Sequence, residues 1–327
     1  MIVCWGLDQL PALVAELEVV RPLLVATGRF ADIELPLELP PEQRFAGVQP
    51  HADVAGVEAA TAAAADADGL LAVGGGSAID TAKAVSAETG LPVISVPTTY
   101  SGAEWTKGFG SRDSSTGEKR QGVGARTVAI LYEPRLTLGL PHAQTCGTAL
   151  NALAHCAEGL YGAERSDVTD RDAISGARLI SGLLPEVAER PDDLEARSGL
   201  LEGAMHAGAA MAAGTGVGHA MAQALGGRYG LPHGAMNAVC LPGALRFNAP
   251  VVADELERFG EAMGHGEPIA RVETLAGLGG FGGLREFGVP EDELRSVAEA
   301  AAARSGARTN PRPAPPEAIE EILRGLW

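Results

Sequence analysis

The first 139 residues alternate short apolar runs with segments of helical character, and this alternation constrains the fold more than any other feature. Strands are predicted at the apolar runs 22–27, 45–48, 69–73, 92–96 and 128–132. Helices are predicted between them, at 54–67 and 79–89. Such alternation indicates a parallel sheet joined by right-handed crossovers, with helices on both of its faces. Ligands of such sheets bind at the carboxyl ends of the strands.

The sequence pattern changes twice after the fourth strand. Residues 106–128 are rich in glycine, which predicts a loop or a hairpin. From about Leu140 onward, long helical segments with few β-branched runs are separated by proline and glycine. We therefore predict a Rossmann-like α/β domain with a parallel sheet at residues 1–139 and an all-α domain at residues 140–327.

Composition excludes several classes of partner. A net charge of −17, from 42 acidic and 25 basic residues, repels nucleic-acid phosphates and anionic lipids, so we expect neither nucleic acid nor membrane as a partner. No apolar run reaches the ~18 residues of a membrane span. The thiols of Cys4, Cys146, Cys156 and Cys240 are scattered, as in reduced cytoplasmic proteins. A cytoplasmic location is therefore expected.

A glycine-rich turn stands where the third of these strands meets the next helix. Its backbone N–H groups and the helix dipole suit a pyrophosphate, although a tight turn that needs positive φ values would use the same residues. Hydroxyl residues after the following strand suit contacts with ribose or adenine, or form an ordinary threonine-rich turn. The candidate cofactor-binding residues are Gly74, Gly75, Gly76, Ser77, Asp80, Thr98, Thr99 and Ser101.

Four polar residues of the second half have the spacing of a shared site. Asn151 and His155 are four residues apart, so on a helix they leave the same face. His219 lies on a second apolar helix, and His233 lies in a Pro-His-Gly turn beyond it. These residues suit a metal site or a hydride-transfer site, whereas three unrelated core or surface histidines are the alternative.

This pattern resembles the iron-containing alcohol dehydrogenase superfamily, in which an aspartate and three histidines hold a divalent metal. Asn151 replaces that aspartate, and Gln223 replaces a further histidine. With residues 96–104 and the tail 310–313, these departures are more similar to the maleylacetate reductase branch. The resemblance implies the dehydroquinate synthase-like, iron-type alcohol dehydrogenase architecture, a dinucleotide-binding first domain, a catalytic second domain and a homodimer.

The resemblance also implies a reaction, the reduction of 2-maleylacetate to 3-oxoadipate in aromatic degradation with NADH or NADPH, of which NADH is favoured. Asn151, His155, His219 and His233 are then catalytic, with histidine polarising the oxygen of a ketone that receives hydride and supplying a proton. Three histidines can still bind Zn²⁺ or Fe²⁺, but without the carboxylate we expect that no metal is required.

Other readings remain open. The chain is alternatively a metal-dependent alcohol dehydrogenase acting on small alcohols or aldehydes, a biosynthetic ketone reductase, or a nucleotide-binding protein that has lost catalysis. A carboxylate substrate needs local positive charge in so acidic a chain, and Lys107, Arg126, Arg228 and Arg246 are candidates to provide it. His51, His142 and His206 are interpreted as structural or surface residues, with His51 also near enough in sequence to a strand end to reach a cofactor.

Overall fold

The chain divides into two compact units, Met1–Gly139 and Leu140–Trp327. The computed structural model describes residues 1–117 and 119–327, and for residues 119 and 120 it describes the backbone alone.

The first unit is built on a six-stranded parallel sheet. In the order of the sheet, its strands are β1 (Ile2–Trp5), β8 (Arg126–Tyr132), β5 (Pro92–Pro97), β4 (Gly69–Gly74), β2 (Pro22–Ala26) and β3 (Arg44–Phe45). A separate antiparallel hairpin consists of β6 (Phe109–Arg112) and β7 (Lys119–Gly122). The helices are α1 (Leu10–Glu16), α2 (Val54–Ala63) and α3 (Gly76–Thr89).

Both faces of this sheet are covered, as the continuous apolar runs predict. Leu71 and Ile94 pack in a cluster with Leu10 of α1, whereas Leu70 packs in a second cluster with Ile79 of α3. Successive side chains of a strand point to opposite faces, so an unbroken run of apolar residues supplies both clusters. Each fully buried leucine or isoleucine stabilises the unit by about 1.5–3 kcal/mol relative to an exposed one.

The strand order reverses between β2 and β4, and this reversal determines where a ligand fits. From β2 the chain moves outward to β3 at one edge, whereas β4, β5 and β8 follow on the other side. The crevice at such a reversal, outside the carboxyl ends of the strands, is the usual ligand site of open α/β sheets. The glycine-rich turn at the end of β4 lies at this point.

The structure adjusts several predicted boundaries. The strand expected at 45–48 is only Arg44–Phe45, an edge strand: regular pairing stops after Phe45, and a single hydrogen bond from the backbone N–H of Val48 to the carbonyl of Ala26, over 3.3 Å, continues along β2. Residues 106–128 contain the hairpin that their glycines left open as one of two predictions. The strand β1 was not predicted; it is an edge strand of only four residues, and its partner β8 is distant in the sequence.

The second unit is helical throughout its regular structure. Its helices are α4 (His142–Leu160), α5 (Asp167–Glu189), α6 (Leu194–Ala210), α7 (Val217–Tyr229), α8 (His233–Asn248), α9 (Ala253–Ala262), α10 (Pro268–Leu278), α11 (Leu294–Ala302), α12 (Ser305–Arg308) and α13 (Pro316–Gly325). The helix α4 is buried along most of its length and packs against α5, α6 and α8. A second core joins α7 and α8 to α11 and α13.

The apolar character of these helices comes from many short side chains. Alanine and glycine on α4, α5 and α6 let the helices approach closely: a Cβ added to Gly176 of α5 would lie 2.7 Å from Sγ of Cys156 on α4. Cys156 is therefore a core residue, as its position beside His155 predicted. Within the described part of the chain, no helix combines the length and apolarity that crossing a membrane requires.

Candidate active site

One face of α4 carries three buried polar residues. Asn151, His155 and Glu158 are at positions i, i+4 and i+7, which share a helix face. The exposed fractions are 2% for Asn151, 5% for His155 and 0% for Glu158. A polar stripe buried to this degree requires partners on neighbouring helices.

The helices α7 and α8 bring the other two predicted histidines to this stripe. The rings of His155 and His219 stack with centroids 4.3 Å apart and planes 21° from parallel. The ring of His233 is 6.0 Å from that of His219. The three histidines therefore form one cluster, which we call the histidine cluster.

The placement of His233 corrects one expectation. The residue was predicted to lie in a turn, but it is the first residue of α8, after Pro232 in extended conformation. Its first helical turn carries no acidic residue, and its side chain is exposed, unlike those of His155 and His219. The cluster thus has two buried rings and one that reaches the surface of the unit.

Two asparagine side chains connect the rings. Nδ2 of Asn151 lies 3.1 Å from Nε2 of His155, and Nδ2 of Asn237 lies 3.0 Å from Nε2 of His233. Nδ2 of Asn237 also donates to Oδ1 of Asn151 over 2.7 Å. An amide nitrogen only donates, so Nε2 of both His155 and His233 accepts a hydrogen bond in this arrangement.

Glu158 fixes the third ring. Its Oε2 accepts a hydrogen bond from Nδ1 of His219 over 2.6 Å and from the backbone N–H of Gly216 over 2.6 Å, while its Oε1 accepts from the backbone N–H of His219 over 3.2 Å. The carboxylate therefore occupies the positive amino-terminal end of α7. Nε2 of His219 is buried and has no hydrogen-bond partner among the described residues. The ring is held by one nitrogen and presents the other.

The amino-terminal end of α7 leaves no room for larger residues. A Cβ on Gly218 would lie 2.7 Å from Oε1 of Glu158. Asn310, from the tail used for the resemblance, accepts from the backbone N–H of Val217 over 3.1 Å and pairs with Asn248. The tail segment thus helps to hold the start of the helix that carries His219.

Glu158 and Asn237 were not predicted from the sequence. Each is on the same helix face as a predicted residue: Glu158 is three residues after His155, and Asn237 is four residues after His233. Extending the face by one turn in each helix would have found both. The sequence signal was present but was applied only to the motif residues.

The donor set does not fit a retained divalent metal. Among the described residues, no group of three or more His, Cys, Asp or Glu side chains is placed to hold one. Nε2 of His155 and Nε2 of His233 each face an amide donor. The carboxylate of Glu158 is already bound to Nδ1 of His219 and to the start of α7. Fe²⁺ and Zn²⁺ sites need lone pairs that converge, with hard or anionic ligands favouring Fe²⁺.

The glycine-rich turn of the first unit has the shape that a pyrophosphate needs. Gly74 has φ +153°, Gly75 precedes the first residue of α3, and the backbone N–H of Thr98 donates to the carbonyl of Gly74 over 3.0 Å. A Cβ on Gly75 would lie 2.7 Å from Cγ2 of Thr99, whereas a Cβ on Gly76 would meet nothing closer than 3.8 Å. The first N–H groups of a helix lack partners within that helix, so the residues present fit a phosphate group.

The other predicted cofactor residues border this turn. Oγ1 of Thr99 lies 3.3 Å from Oγ of Ser101, and Oγ of Ser77 accepts from the backbone N–H of His51 over 3.0 Å. Thr98 is buried at the end of β5. Ser77, Thr99, Ser101 and the glycines therefore lie at one strand-end edge.

Asp80 has a structural role that the sequence did not reveal. Its carboxylate lies 3.4 Å from Nζ of Lys83 and accepts from the backbone N–H of Gly110 over 3.2 Å. Lys83 also donates to Oγ1 of Thr106 and to the carbonyl of Gly108. Burial raises the pKa of Asp80 and lowers that of Lys83, while each charge opposes the shift of the other. The pair anchors the β6–β7 hairpin to α3, and a cofactor contact by Asp80 stays a prediction.

The remaining candidates have ordinary partners. His142 contacts the carbonyl of Leu278, and His206 contacts Asp172 over 2.7 Å. Arg228 is paired with Glu293, and Arg246 is paired with Glu273. Two of the four cations proposed to bind a substrate carboxylate are therefore already neutralised.

A parallel sheet with a glycine-rich turn and a helical unit with a buried histidine cluster define a class of nucleotide-dependent oxidoreductases. The family model described as iron-containing alcohol dehydrogenase matches residues 5–132, and the model described as Fe-containing alcohol dehydrogenase family, C-terminal, matches residues 145–327. The chain belongs to the iron-containing alcohol dehydrogenase family.

Individual relatives narrow the comparison. A maleylacetate reductase of Sphingobium indicum is 37% identical over 84% of this chain and 78% of its own length. The crystal structure of maleylacetate reductase from Agrobacterium tumefaciens is 28% identical, with a TM-score of 0.88 over 100% of this chain and 95% of that one. The structure of an iron-containing alcohol dehydrogenase from Corynebacterium glutamicum is 28% identical, with a TM-score of 0.89 over 100% and 94%.

These comparisons confirm the predicted family and architecture, and the chain is an NAD(P)-dependent oxidoreductase. They correct one expectation. The family is described as iron-containing, which favours a metal and goes against the expectation that none is required. The family description and the donor set of this chain disagree, so the chemistry below uses no metal step.

Proposed function

We propose that this chain is a maleylacetate reductase that uses NADH or NADPH. The observation that carries the proposal is the histidine cluster, in which amide groups of Asn151 and Asn237 bind the imidazoles and leave Nε2 of His219 presented within the site. The choice of maleylacetate as substrate is supported by similar proteins, which are described as maleylacetate reductases.

The glycine-rich turn between β4 and α3 is the feature that supports nucleotide binding. Gly75 and Gly76 allow close backbone approach at a helix start, and Ser77, Thr99 and Ser101 place hydroxyls beside it. NAD(P)H, when bound, supplies the hydride. No aspartate stands directly at the end of the early strand β2, where Ala26 is followed by Thr27, Gly28 and Arg29. An aspartate there would bind a ribose 2′-hydroxyl and exclude a 2′-phosphate, so both nucleotides remain candidates.

The product determines where the hydride goes. Maleylacetate carries a C=C bond conjugated to its ketone, and 3-oxoadipate keeps the ketone but has lost that double bond. Hydride therefore adds to the alkene carbon that is farther from the ketone. The electron pair of the double bond then moves toward the ketone oxygen and forms an enolate. A proton then adds to the carbon next to the ketone. Hydride delivery to the carbonyl carbon itself, as expected from the sequence, applies instead to aldehydes or simple ketones.

His219 is the residue placed to act on that oxygen. Glu158 holds Nδ1 and its hydrogen, so that the ring presents Nε2. A proton on Nε2 would stabilise the developing enolate oxygen by a charge-assisted hydrogen bond, made by a buried ring. His219 supplies the proton that ends on the carbon next to the ketone, and the ring, then neutral, keeps its bond to Glu158. His155 supports this geometry by stacking, and His233 marks the exposed side.

The test is NADH and NADPH oxidation by the purified protein with maleylacetate, with the product identified by NMR. We expect 3-oxoadipate, and His219→Asn should lower kcat by about 10²–10⁴-fold because a general acid is lost. The control His265→Asn removes an exposed ring whose Nδ1 contacts the backbone of Glu267 in its own loop, and should leave turnover unchanged. No conversion of maleylacetate by the parent protein would refute the proposal.

One rival has a specific observation in its favour, the family's iron-containing description. A metal-dependent alcohol dehydrogenase would oxidise small alcohols or reduce aldehydes only after Zn²⁺ or Fe²⁺ is supplied. The same assay, repeated with aldehydes, with chelator and with added metal, separates the two functions. The same assay tests the proposed small-molecule carbonyl substrate. Sedimentation tests the proposed homodimer, and cell fractionation tests the proposed cytoplasmic location.

A further inference from the structure

Arg304 is a cation that has no carboxylate partner among the residues that the structure describes, in a very acidic chain. It is half-buried in the segment between α11 and α12, and it forms no ion pair among the described residues. Its Nε is buried and has no hydrogen-bond partner in the described protein. Nη1 donates over a long 3.4 Å to Oε1 of Gln223. Burial lowers the pKa of Arg304 because nothing nearby compensates the desolvated charge.

Three other arginines of the helical unit have hydrogen-bond or ion-pair partners. Arg271 and Arg312 donate to backbone carbonyls of Ser181 and Phe247, and Arg258 pairs with Asp170 over 2.8 Å. With 42 acidic residues against 25 basic ones, carboxylates are plentiful in the chain. A half-buried guanidinium with an unpaired N–H is therefore poised for an anion that the protein itself does not supply.

The position of Arg304 connects it to the histidine cluster. Its hydrogen-bond acceptor Gln223 is four residues after His219 on α7, so both side chains leave the same helix face. Side chains at this spacing have Cβ atoms about 5–6 Å apart. Gln223 is one of the two positions at which the sequence departs from its superfamily. In this chain its side-chain oxygen accepts a hydrogen bond from Arg304, one helical turn along α7 from His219.

We propose that Arg304, positioned by Gln223, binds a carboxylate of the substrate whose carbonyl oxygen contacts His219. This inference rests on the proposed function and deepens it, because it assigns the group that selects oxo acids over neutral carbonyl compounds. A guanidinium binds a carboxylate through two parallel N–H bonds, which fixes orientation as well as charge. In a chain of net charge −17, such a local cation offsets the repulsion of a dicarboxylate.

The kinetic test compares Arg304→Gln with Arg308→Gln. Arg308 is an exposed arginine on α12 that donates to a backbone carbonyl, so its replacement removes the same charge nearby. We expect Arg304→Gln to lower kcat/KM for maleylacetate by about 10–100-fold, mainly through KM, the range of a lost charged contact. Turnover of the neutral dimethyl ester and the Kd for NADH should stay unchanged in both variants. Equal losses for acid and ester, or no loss for the acid, would overturn the assignment.

Calorimetric binding of 3-oxoadipate separates this inference from the proposed function. If the parent does not reduce maleylacetate but binds 3-oxoadipate, and Arg304→Gln weakens that binding about tenfold or more, the carboxylate site stands and the reductase function fails. If the parent binds no 3-oxoadipate, or the variant binds it equally, Arg304 is not such a site. Should Arg304→Gln unfold, Arg304→Lys keeps the charge without the planar fork and should still weaken binding of the diacid.

Discussion

Glu158→Gln is the substitution that most directly tests the candidate site. The carboxylate accepts hydrogen bonds from Nδ1 of His219, from the N–H of Gly216 and from the N–H of His219, in a fully buried position. A glutamine of the same shape has one acceptor oxygen, and its NH₂ group must face one of these donors. The buried donor that loses its acceptor costs about 1–3 kcal/mol. The lost charge at the start of α7 costs about 0.3–1 kcal/mol more.

Relief of carboxylate desolvation offsets part of this loss, so we expect a net destabilisation of about 1–3 kcal/mol. At about 2–4 °C per kcal/mol for a unit of this size, Tm should fall by about 2–12 °C. The protein should remain folded at 25 °C. The larger effect should be on chemistry: a neutral amide next to Nδ1 of His219 no longer stabilises positive charge on that ring, and kcat should fall by about 10²–10⁴-fold.

Histidine ¹⁵N NMR, thermal melting and NADH oxidation together check this prediction. The control Glu273→Gln removes a carboxylate from a half-exposed pair with Arg246 and should change stability by less than about 1 kcal/mol, with kcat intact. The reasoning is refuted if Glu158→Gln keeps both the parent kcat and the parent ¹⁵N pattern of His219.

Three further predictions follow from other contacts. Gly75→Ala places a methyl group 2.7 Å from Cγ2 of Thr99 and should weaken NADH binding by about tenfold or more, whereas Gly76→Ala, with 3.8 Å of clearance, should change the Kd far less; equal effects in a fluorescence titration would contradict the steric argument. Asn151→Asp replaces an amide donor facing Nε2 of His155 by an acceptor, a conflict that a cation resolves, so calorimetry should show Zn²⁺ binding at least about tenfold tighter than in the parent; equal affinities would show that the amide does not control metal binding. Burial raises the pKa of Glu104, so its carboxyl stays protonated in the folded state above about pH 4.3, where the unfolded state releases the proton. The protonated carboxyl therefore favours folding at low pH, and this contribution is lost as pH rises toward the raised pKa. Glu104→Gln should flatten that part of the stability profile in urea melts at several pH values, and an unchanged slope would count against it.

The sheet was predictable because its signal is local and repeated. Continuous apolar runs such as 69–73 and 92–96 read as strands buried on both faces, and the segments between them read as helices. The edges were harder: Arg44–Phe45 is held by only two register pairs with β2, and Ile2–Trp5 by pairing with β8 at the far end of the unit's sequence. An edge strand is stabilised by its neighbour more than by its own sequence, so periodicity alone detects it poorly.

The candidate site was predictable where chemistry is concentrated in motif residues. Asn151 and His155 were placed on one face by spacing alone, and the structure shows them there. Glu158 was missed although the helix face through Asn151 and His155 extends to it. Arg304 was not found for a physical reason: arginine is a common surface residue, and only the burial of its Nε distinguishes it from the others. Burial depends on which helices pack together, and a single sequence does not specify that.

The asparagine pair explains why losing one carboxylate changes more than one ligand. An aspartate at position 151 would add a negative charge beside two buried imidazoles, which a cation must balance. Asn151 removes that charge, and its amide, with that of Asn237, instead donates hydrogen bonds into the cluster. The remaining carboxylate, Glu158, is bound to the start of α7 and to His219. The buried charge of the cluster is thereby limited to one anion, which is bound to Nδ1 of one ring and leaves Nε2 of that ring facing the site.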